Sequence, residues 1–245
     1  MRLDFSKRAL EEEKMDDLDL QGPELAQALD ELTLINRYLG GYTATIGGLK
    51  QMQKRGLIKK CSTPLRVLDA GCGGGDTLRK IALWARKEQI EVQLIGLDAN
   101  AYTLSYAEKY SKEYPEISYI QGNIFSDTLD TIPFDILTLS LVLHHFPTET
   151  LLTYLPIWCD LAKKGVIIND LQRSVLPYLL YQLVTRLLGA SPMVREDGSL
   201  SIRKGFTQKD WEKLLYFCPS SKREFRWRWA FRHQLVIYAN ESHLS

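Results

Sequence analysis

The sequence predicts an α/β fold in which helices cover both faces of a doubly wound, mostly parallel sheet of seven strands. Short apolar runs alternate with amphipathic segments between residues 65 and 170, and this order requires right-handed crossovers and parallel strands. The runs at 136–139 and 166–168 are almost entirely apolar, as is typical of strands buried on both faces. The last two predicted strands lie only a few residues apart, so we expect them to form an antiparallel pair.

A glycine-rich loop follows the first predicted strand, in the segment VLDAGCGGGDT at 67–77. Its glycines, among them Gly71 and Gly73, permit positive φ and carry no Cβ that would keep a ligand away from the backbone. A loop of this kind that leads into a helix is typical of nucleotide-type pockets. The spacing departs from G-x-G-x-x-G, and no Lys-Ser or Lys-Thr pair follows, which argues against a phosphate-binding P-loop.

The remaining elements follow from apolar spacing and from turn residues. Helices are predicted at 24–39, 43–55, 76–88, 101–113 and 149–162 and after Thr207, and strands at 65–70, 92–98, 117–120, 134–140, 165–170, 222–229 and 233–240. Between them, 175–188 is too apolar for an exposed helix, and Ser191-Pro192 and Asp197-Gly198 predict turns. We therefore divide the chain into an N-terminal helical lid, 1–60, and a main α/β domain, 61–245, with a helical insertion at 172–204.

Composition excludes several classes of protein. The 245 residues carry 31 basic and 30 acidic side chains, a net charge of +1, so no overall bias toward nucleic acid or an anionic membrane exists. The four cysteines form no C-x-x-C pair, which argues against a zinc site and a disulfide framework. The N-terminus has no apolar signal core, and no apolar run is long enough to span a membrane. We expect a cytoplasmic protein without a metal site or a membrane span.

Four stretches together resemble the class I S-adenosylmethionine-dependent methyltransferase family. They are the glycine loop, VQLIGLDAN with Asp98, ISYIQGNIF with Asn123, and FDILTLSLVLHHF, which ends near a His pair. The resemblance covers 63–170 closely, and the outer segments look similar to bacterial small-molecule methyltransferases found near polyketide pathways. It implies the strand order 3-2-1-4-5-7-6 with the last strand antiparallel, and S-adenosylmethionine as the cofactor.

The resemblance also implies which residues hold this cofactor. Backbone amides at the glycine loop would face its methionine end, Asp69 would orient the ammonium, and Asp98 would accept both ribose hydroxyls. Asn123 stands where many family members have Asp, and its amide would contact adenine. Asp98 as a helix cap and Asn123 as a turn former are the structural alternatives. The expected cofactor residues are Asp69, Gly71, Gly73, Asp98, Ala99, Asn123, Ile124 and Ser140.

Methyl transfer needs a positioned acceptor and a base where that acceptor is protonated. His144 and His145 follow the fourth strand and are the base candidates, with His145 preferred. Asp170 would orient a His or contact the substrate, or else cap a helix or pair with Arg173. Cys72 is interpreted as a small apolar residue and not as a nucleophile. The candidate substrate contacts are Arg37, Tyr178, Tyr181 and Arg195.

The acceptor is predicted to be a small aromatic or lipophilic metabolite that bears a hydroxyl group. The apolar stretch 175–188 would line its pocket beneath the lid, or be buried in the core or in a homodimer interface. An RNA methyltransferase, a non-catalytic cofactor-binding protein and a NAD-dependent oxidoreductase are the alternatives. Arginines and aromatics alternate after Arg223, which suggests nucleic acid. The alternation instead predicts one core-facing aromatic side of a strand, made of Phe225, Trp227, Trp229 and Phe231.

Overall fold

A computed structural model describes residues 4–60, 63–126, 128–218 and 222–239. They form one sheet of seven strands in the order β3-β2-β1-β4-β5-β7-β6, which confirms the predicted fold class. The first five strands are parallel, and β7 runs antiparallel between β5 and β6. The strands are β1 Leu65–Ala70, β2 Val92–Asp98, β3 Ile117–Gln121, β4 Ile136–Ser140, β5 Gly165–Leu171, β6 Arg223–Arg228 and β7 Arg232–Tyr238.

The helices connect and cover these strands. They are α1 Pro23–Tyr38, α2 Thr43–Lys54, α3 Asp76–Glu88, α4 Ala101–Tyr110, α5 Thr128–Thr131, α6 Thr148–Leu161, α7 Val175–Leu187, α8 Pro192–Lys204 and α9 Gln208–Leu215. Short 3-10 turns occupy Lys14–Asp16 and Leu143–His145. Pro23 begins α1, and Thr207 caps α9 by accepting the Asp210 amide, as the residue types predict.

Neighbouring residues of each central strand belong to two separate cores. In β1, Leu68 packs with β4, α6 and α9, whereas Val67 packs with α2 and α3. This alternation explains the continuous apolar runs, because both faces of the strands are covered by helices. Cys159 and Cys218 meet in the first core as free thiols with their sulfurs 3.8 Å apart, while Cys61 lies outside the described residues.

Helix α8 replaces a predicted turn. It continues through Asp197 and Gly198 because both residues have partners in other elements. The buried Asp197 carboxylate accepts the backbone amides of Lys14 and Met15, at 3.0 and 2.9 Å, instead of bonding to its own turn. A Cβ at Gly198 would overlap the ring of Tyr181 on α7, so glycine allows the two helices to approach closely.

Two apolar surfaces lie outside the core, contrary to the sequence analysis. Helix α7 exposes a row of leucines, including Leu179 and Leu183 at 55% each. The aromatic side of β6 is also uncovered, with Trp227 at 50% exposure, so the predicted core-facing side is wrong. The physical reason is position, because β6 is the edge of the sheet and none of the described helices covers its aromatic side.

The N-terminal segment crosses the molecule above the sheet. Asp197 holds Lys14 and Met15 at one end, and Asn100 holds the carbonyls of Leu18 and Leu20 at the other, at 3.1 and 3.0 Å. The division at residues 60 and 61 stays a prediction, since residues 61 and 62 lie outside the described part of the chain. No helix among the described residues has the length and hydropathy to cross a membrane.

Candidate active site

A cavity of about 1290 Å³ opens beyond the carboxyl ends of the parallel strands. Its floor consists of the loops that follow β1, β2, β3, β4 and β5, and its walls come from the N-terminal segment, α1, α7, α8 and the turn between β6 and β7. This edge is where doubly wound sheets bind ligands. Pockets for one drug-sized ligand usually measure about 300–1,000 Å³, so the volume suits two small molecules side by side.

The glycine loop adopts the positive φ angles that its sequence predicts, 70° at Gly71 and 51° at Gly73. Three of its amides, however, are bonded within the protein. Those of Gly71 and Cys72 donate to the Leu97 carbonyl, and that of Gly73 donates to Asp98 Oδ2. These three amides are therefore not free to donate to a ligand, and the assignment of Gly71 and Gly73 to the cofactor site stays a prediction. The loop contributes open space instead, because a Cβ at Gly73 would meet no atom within 4 Å.

Asp98 ends β2 and joins the first two loops. Its carboxylate accepts the amides of Gly73 and Asn100 at 2.9 and 3.0 Å, so each oxygen keeps one lone pair free. Asn100, and not Asp98, caps α4 by accepting the Thr103 amide. Burial raises the pKa of the Asp98 carboxyl, although the amide hydrogen bonds oppose this shift.

Asp69 lies deeper, at the end of β1. It is 1% exposed and accepts a 2.6 Å hydrogen bond from Thr138 Oγ1 of β4. Burial raises its pKa to about 8, and the nearby acidic groups Asp76 and Asp98 act in the same direction. The carboxyl is consequently protonated over much of the neutral range unless a cation lies beside it.

The other expected cofactor residues also line the cavity. They are Ala99, Asn123, Ile124 and Ser140. Asn123 has the geometry of a turn former, because its Oδ1 accepts the Phe125 amide at 2.9 Å. The Ser140 hydroxyl lies 2.8 Å from that of Thr45 on α2, which ties β4 to the N-terminal helices.

Both histidines line the cavity, and each imidazole has one nitrogen against a carboxylate. His144 is 3% exposed and its Nδ1 lies 2.7 Å from Asp170 Oδ1. His145 Nδ1 lies 2.6 Å from Asp16 Oδ1, and its side chain is 24% exposed. Although burial disfavours ionisation of Asp16, the contact with His145 lowers the pKa of this carboxyl.

A second ring of charged residues surrounds the pair. Glu13 accepts from Ser201 at 2.8 Å, and Lys204 lies 3.3 Å from Glu13 and 3.1 Å from Asp16. Burial raises the pKa of Glu13. Glu13, His144 and His145 are metal-ligand types placed close together. The buried Lys204 ammonium already supplies positive charge there, so the geometry favours an ion-pair cluster over a metal centre.

Asp170 contacts a histidine, which is one of the four roles that the sequence left open. Its carboxylate contacts the His144 ring and accepts the backbone amides of Leu143 and Leu171 at 3.0 and 2.7 Å. Although the carboxyl is fully buried, its attraction to His144 lowers its pKa. The alternative partner Arg173 instead pairs with Asp210 at 3.0 Å.

The predicted substrate residues divide into two groups. Tyr181 lines the cavity and donates to the Val194 carbonyl at 2.8 Å. Arg37, Tyr178 and Arg195 do not line it, which corrects the expectation. Arg37 is exposed on α1, and the other two border a separate depression of about 490 Å³ on the far side of α7. Side-chain direction along these helices was not evident from apolar spacing alone.

Sequence reasoning missed several lining residues. Asp16 and Glu13 belong to an acidic N-terminal stretch that resembles a solvated surface, and Trp229 and Arg232 flank the β6–β7 turn. The sequence did contain a signal for Trp229 and Arg232. Because β7 is antiparallel to β5, the first residue of β7 must lie at the carboxyl end of β5, where the cavity opens.

The family comparison matches this geometry. Residues 67–165, from β1 to the start of β5, match the family model described as a methyltransferase domain. The match covers about two fifths of the chain and includes the glycine loop, Asp98 and the His pair. The expected enzyme class, an S-adenosylmethionine-dependent methyltransferase, is thereby confirmed. No curated protein matches the chain.

Solved structures share the fold of the methyltransferase at low sequence identity. The magnesium protoporphyrin IX methyltransferase of Synechocystis PCC 6803, solved with bound S-adenosylhomocysteine, is 17% identical, with 83% of this chain and 84% of that chain covered and a TM-score of 0.54. The plantazolicin methyltransferase BpumL is 18% identical over 93% and 99% of the two chains, with a TM-score of 0.55. The CMeT domain of the citrinin polyketide synthase is 18% identical over 78% and 50%, with a TM-score of 0.56.

Proposed function

We propose that this methyltransferase transfers a methyl group to a hydroxyl of a small aromatic or lipophilic metabolite, with His145 as the base. The observation that carries the proposal is the continuity of one cavity from the glycine loop, past the two histidines, to an apolar wall. That wall includes Leu180 and Val184 of α7 and Ile202 of α8. Apolar walls with few polar groups are typical of sites for small organic ligands.

The residues that line the cavity beside β1, β2 and β3 fit the proposed cofactor. The open space above Gly73 admits a ligand close to the backbone, and the free lone pairs of Asp98 suit two ribose hydroxyls. Asp69, Asn123 and Ile124 line the same cavity, which supports assigning Asp69 to the ammonium and the other two residues to the adenine. When bound, S-adenosylmethionine supplies an activated methyl group, and the chain supplies position, charge and a base.

His145 suits the role of base better than His144. With Nδ1 against the ionised Asp16, His145 keeps Nε2 for the acceptor proton, and its ring is partly exposed to the cavity. The His144 ring is almost completely buried between Asp170 and Glu13, with Nε2 4.0 Å from Glu13 Oε1. We assign His144 to holding the N-terminal segment in place above the strands.

We assign closure of the cavity to the N-terminal part of the chain. The segment 8–20 reaches from α8 to α4, and α1 adds Leu25, Leu29 and Leu32 to the lining. We propose that this part acts as a lid that excludes water from the reacting groups and shields the acceptor.

The proposal is tested by an acceptor screen with methyl-labelled S-adenosylmethionine. The panel contains phenols, aliphatic alcohols, matched amines and carboxylic acids, and total RNA. We expect labelled products from lipophilic hydroxyl compounds, and labelled amines alone would contradict the hydroxyl assignment. Label on RNA would favour the alternative for which the exposed Phe225 and Trp227 of β6 provide a stacking surface. Cofactor binding without turnover on any acceptor would favour a non-catalytic binding protein.

A further inference from the structure

The cavity is acidic where the methionine end of the proposed cofactor lies. Asp69, Asp76 and Asp98 line this part, and they complement a sulfonium and an ammonium. The same end of the cofactor carries a carboxylate, which these residues repel. Among the described lining residues, the lysine and arginine side chains are those of Lys14 and Arg232. Lys14 is exposed, and its ammonium is screened by solvent and by Glu196 at 2.8 Å, whereas Arg232 is buried.

Arg232 is held rigidly and incompletely satisfied. It is 4% exposed, and Nη2 donates to Asn36 Oδ1 of α1 at 3.2 Å, while Nε donates to the Leu39 carbonyl at 3.3 Å. Its Nη1 is buried and has no hydrogen-bond partner, and no carboxylate of the described residues lies within ion-pair distance of the guanidinium. A buried, unpaired guanidinium is costly, and a bound anion would remove that cost.

Arg232 is connected to the end of the glycine loop through Asn36. Asn36, which accepts from Arg232, also lies with its Nδ2 3.5 Å from Asp76 Oδ2, at the first residue of α3. The guanidinium is therefore one side chain away from the helix start that follows the loop. The amides of Gly71 and Gly73 do not compete with Arg232 for a bound carboxylate, because they already donate to acceptors within the protein.

We propose that Arg232 binds the carboxylate of the cofactor's methionine end through its guanidinium group. The inference rests on the proposed cofactor site and adds to it a residue from β7, the strand farthest along the chain. The acids near β1 and β2 then hold the two cationic groups, and Arg232 holds the anionic one. Because its Nη2 and Nε bond to the end of α1, carboxylate binding would also link the cofactor to the lid.

The test is a thermodynamic cycle, measured by calorimetry on the full chain, that combines one substitution in the protein with one change in the ligand. S-adenosylmethionine and its decarboxylated analogue are titrated into the wild type and into Arg232→Gln. We expect Arg232→Gln to weaken S-adenosylmethionine binding about 10- to 100-fold and to leave binding of the analogue within about twofold, since a hydrogen-bonded charge contact of this kind is lost only where the carboxylate is present. Arg228→Gln is the matched control, because Arg228 bonds to Gln234 and does not line the cavity.

The outcomes separate the inference from the proposed function. If Arg232→Gln weakens binding of both compounds equally, Arg232 has a structural role and the inference is overturned. If the affinity for both compounds is unchanged, the inference is overturned as well. This second outcome is also expected if Arg232 binds an anionic group of the acceptor. Failure of the wild type to bind either compound contradicts the proposed function instead. Should Arg232→Gln not fold, Arg232→Lys enters the same cycle, with the expectation of a smaller loss confined to S-adenosylmethionine.

Discussion

The two halves of the cavity are built in different ways. The half near β1 and β2 is made from residues that directly follow strands, and its main contact joins Gly73 to Asp98, 25 positions apart. The half near β4 and β5 joins His145 to Asp16 and Lys204 to Glu13, across well over a hundred positions. The first half depends on local backbone geometry, whereas the second depends on the docking of the N-terminal segment onto α8.

Under the proposed function, this difference gives the two halves separate tasks, with the cofactor in the first half and the acceptor in the second. Contacts within the strand-end loops persist whenever the sheet forms, so the cofactor half is organised before any ligand arrives. The acceptor half requires the segment 8–20 to be seated, because Lys204 of α8 forms its ion pairs with Glu13 and Asp16 only in that arrangement. Changes in one half should therefore affect cofactor affinity, and changes in the other should affect turnover or acceptor affinity.

The largest effect is expected from His145→Asn in the acceptor half. Loss of the base should lower kcat for the acceptor found by screening about 10²- to 10⁴-fold, while cofactor affinity stays near that of the wild type. Single-turnover kinetics and calorimetry measure the two quantities. His233→Asn serves as control, because His233 bonds to Trp211 in the core and does not line the cavity. A variant that keeps full kcat removes His145 from the chemistry.

Asp98→Ala tests the cofactor half. It should weaken S-adenosylmethionine binding by roughly 1–3 kcal/mol, because charged hydrogen bonds to the ribose and the Gly73 amide are both lost. Asp135→Ala is the control, since Asp135 bonds to the Arg66 amide outside the cavity. Equal affinities of Asp98→Ala and wild type for the cofactor would contradict the assignment of the ribose to Asp98.

A pH-dependent effect is expected from Asp69. Its pKa of about 8 in the folded chain exceeds the value of about 3.9 expected on unfolding, so the folded state binds the proton more tightly. The resulting stability is complete below about pH 4 and is lost as pH rises to about 8, with a slope of up to about 1.4 kcal/mol per pH unit. Asp69→Asn mimics the protonated side chain and should lack this loss. Urea titrations from pH 5 to 9 compare the two, and parallel stability profiles would contradict the prediction.

The smallest effect is expected at the apolar wall. Leu180→Ser should raise KM for a lipophilic acceptor about 5- to 10-fold without changing kcat, because part of one leucine contact is lost. Leu183→Ser is the matched control on the same helix, since Leu183 is 55% exposed and does not line the cavity. If both variants change KM equally, α7 acts through its fold and not through contact with the acceptor.

The sequence by itself determined the positions of the seven strands along the chain, the glycine loop, and the position of Asp69, Asp98 and the His pair at one edge of the sheet. These features follow from spacing within short segments, because parallel strands bring their carboxyl ends to the same edge. Tertiary structure alone decided which side chains complete the site. Asp16 became the partner of His145, and Arg232 became a buried cation, because distant segments pack there, and Arg37 and Arg195 turned away because helix rotation is set by packing.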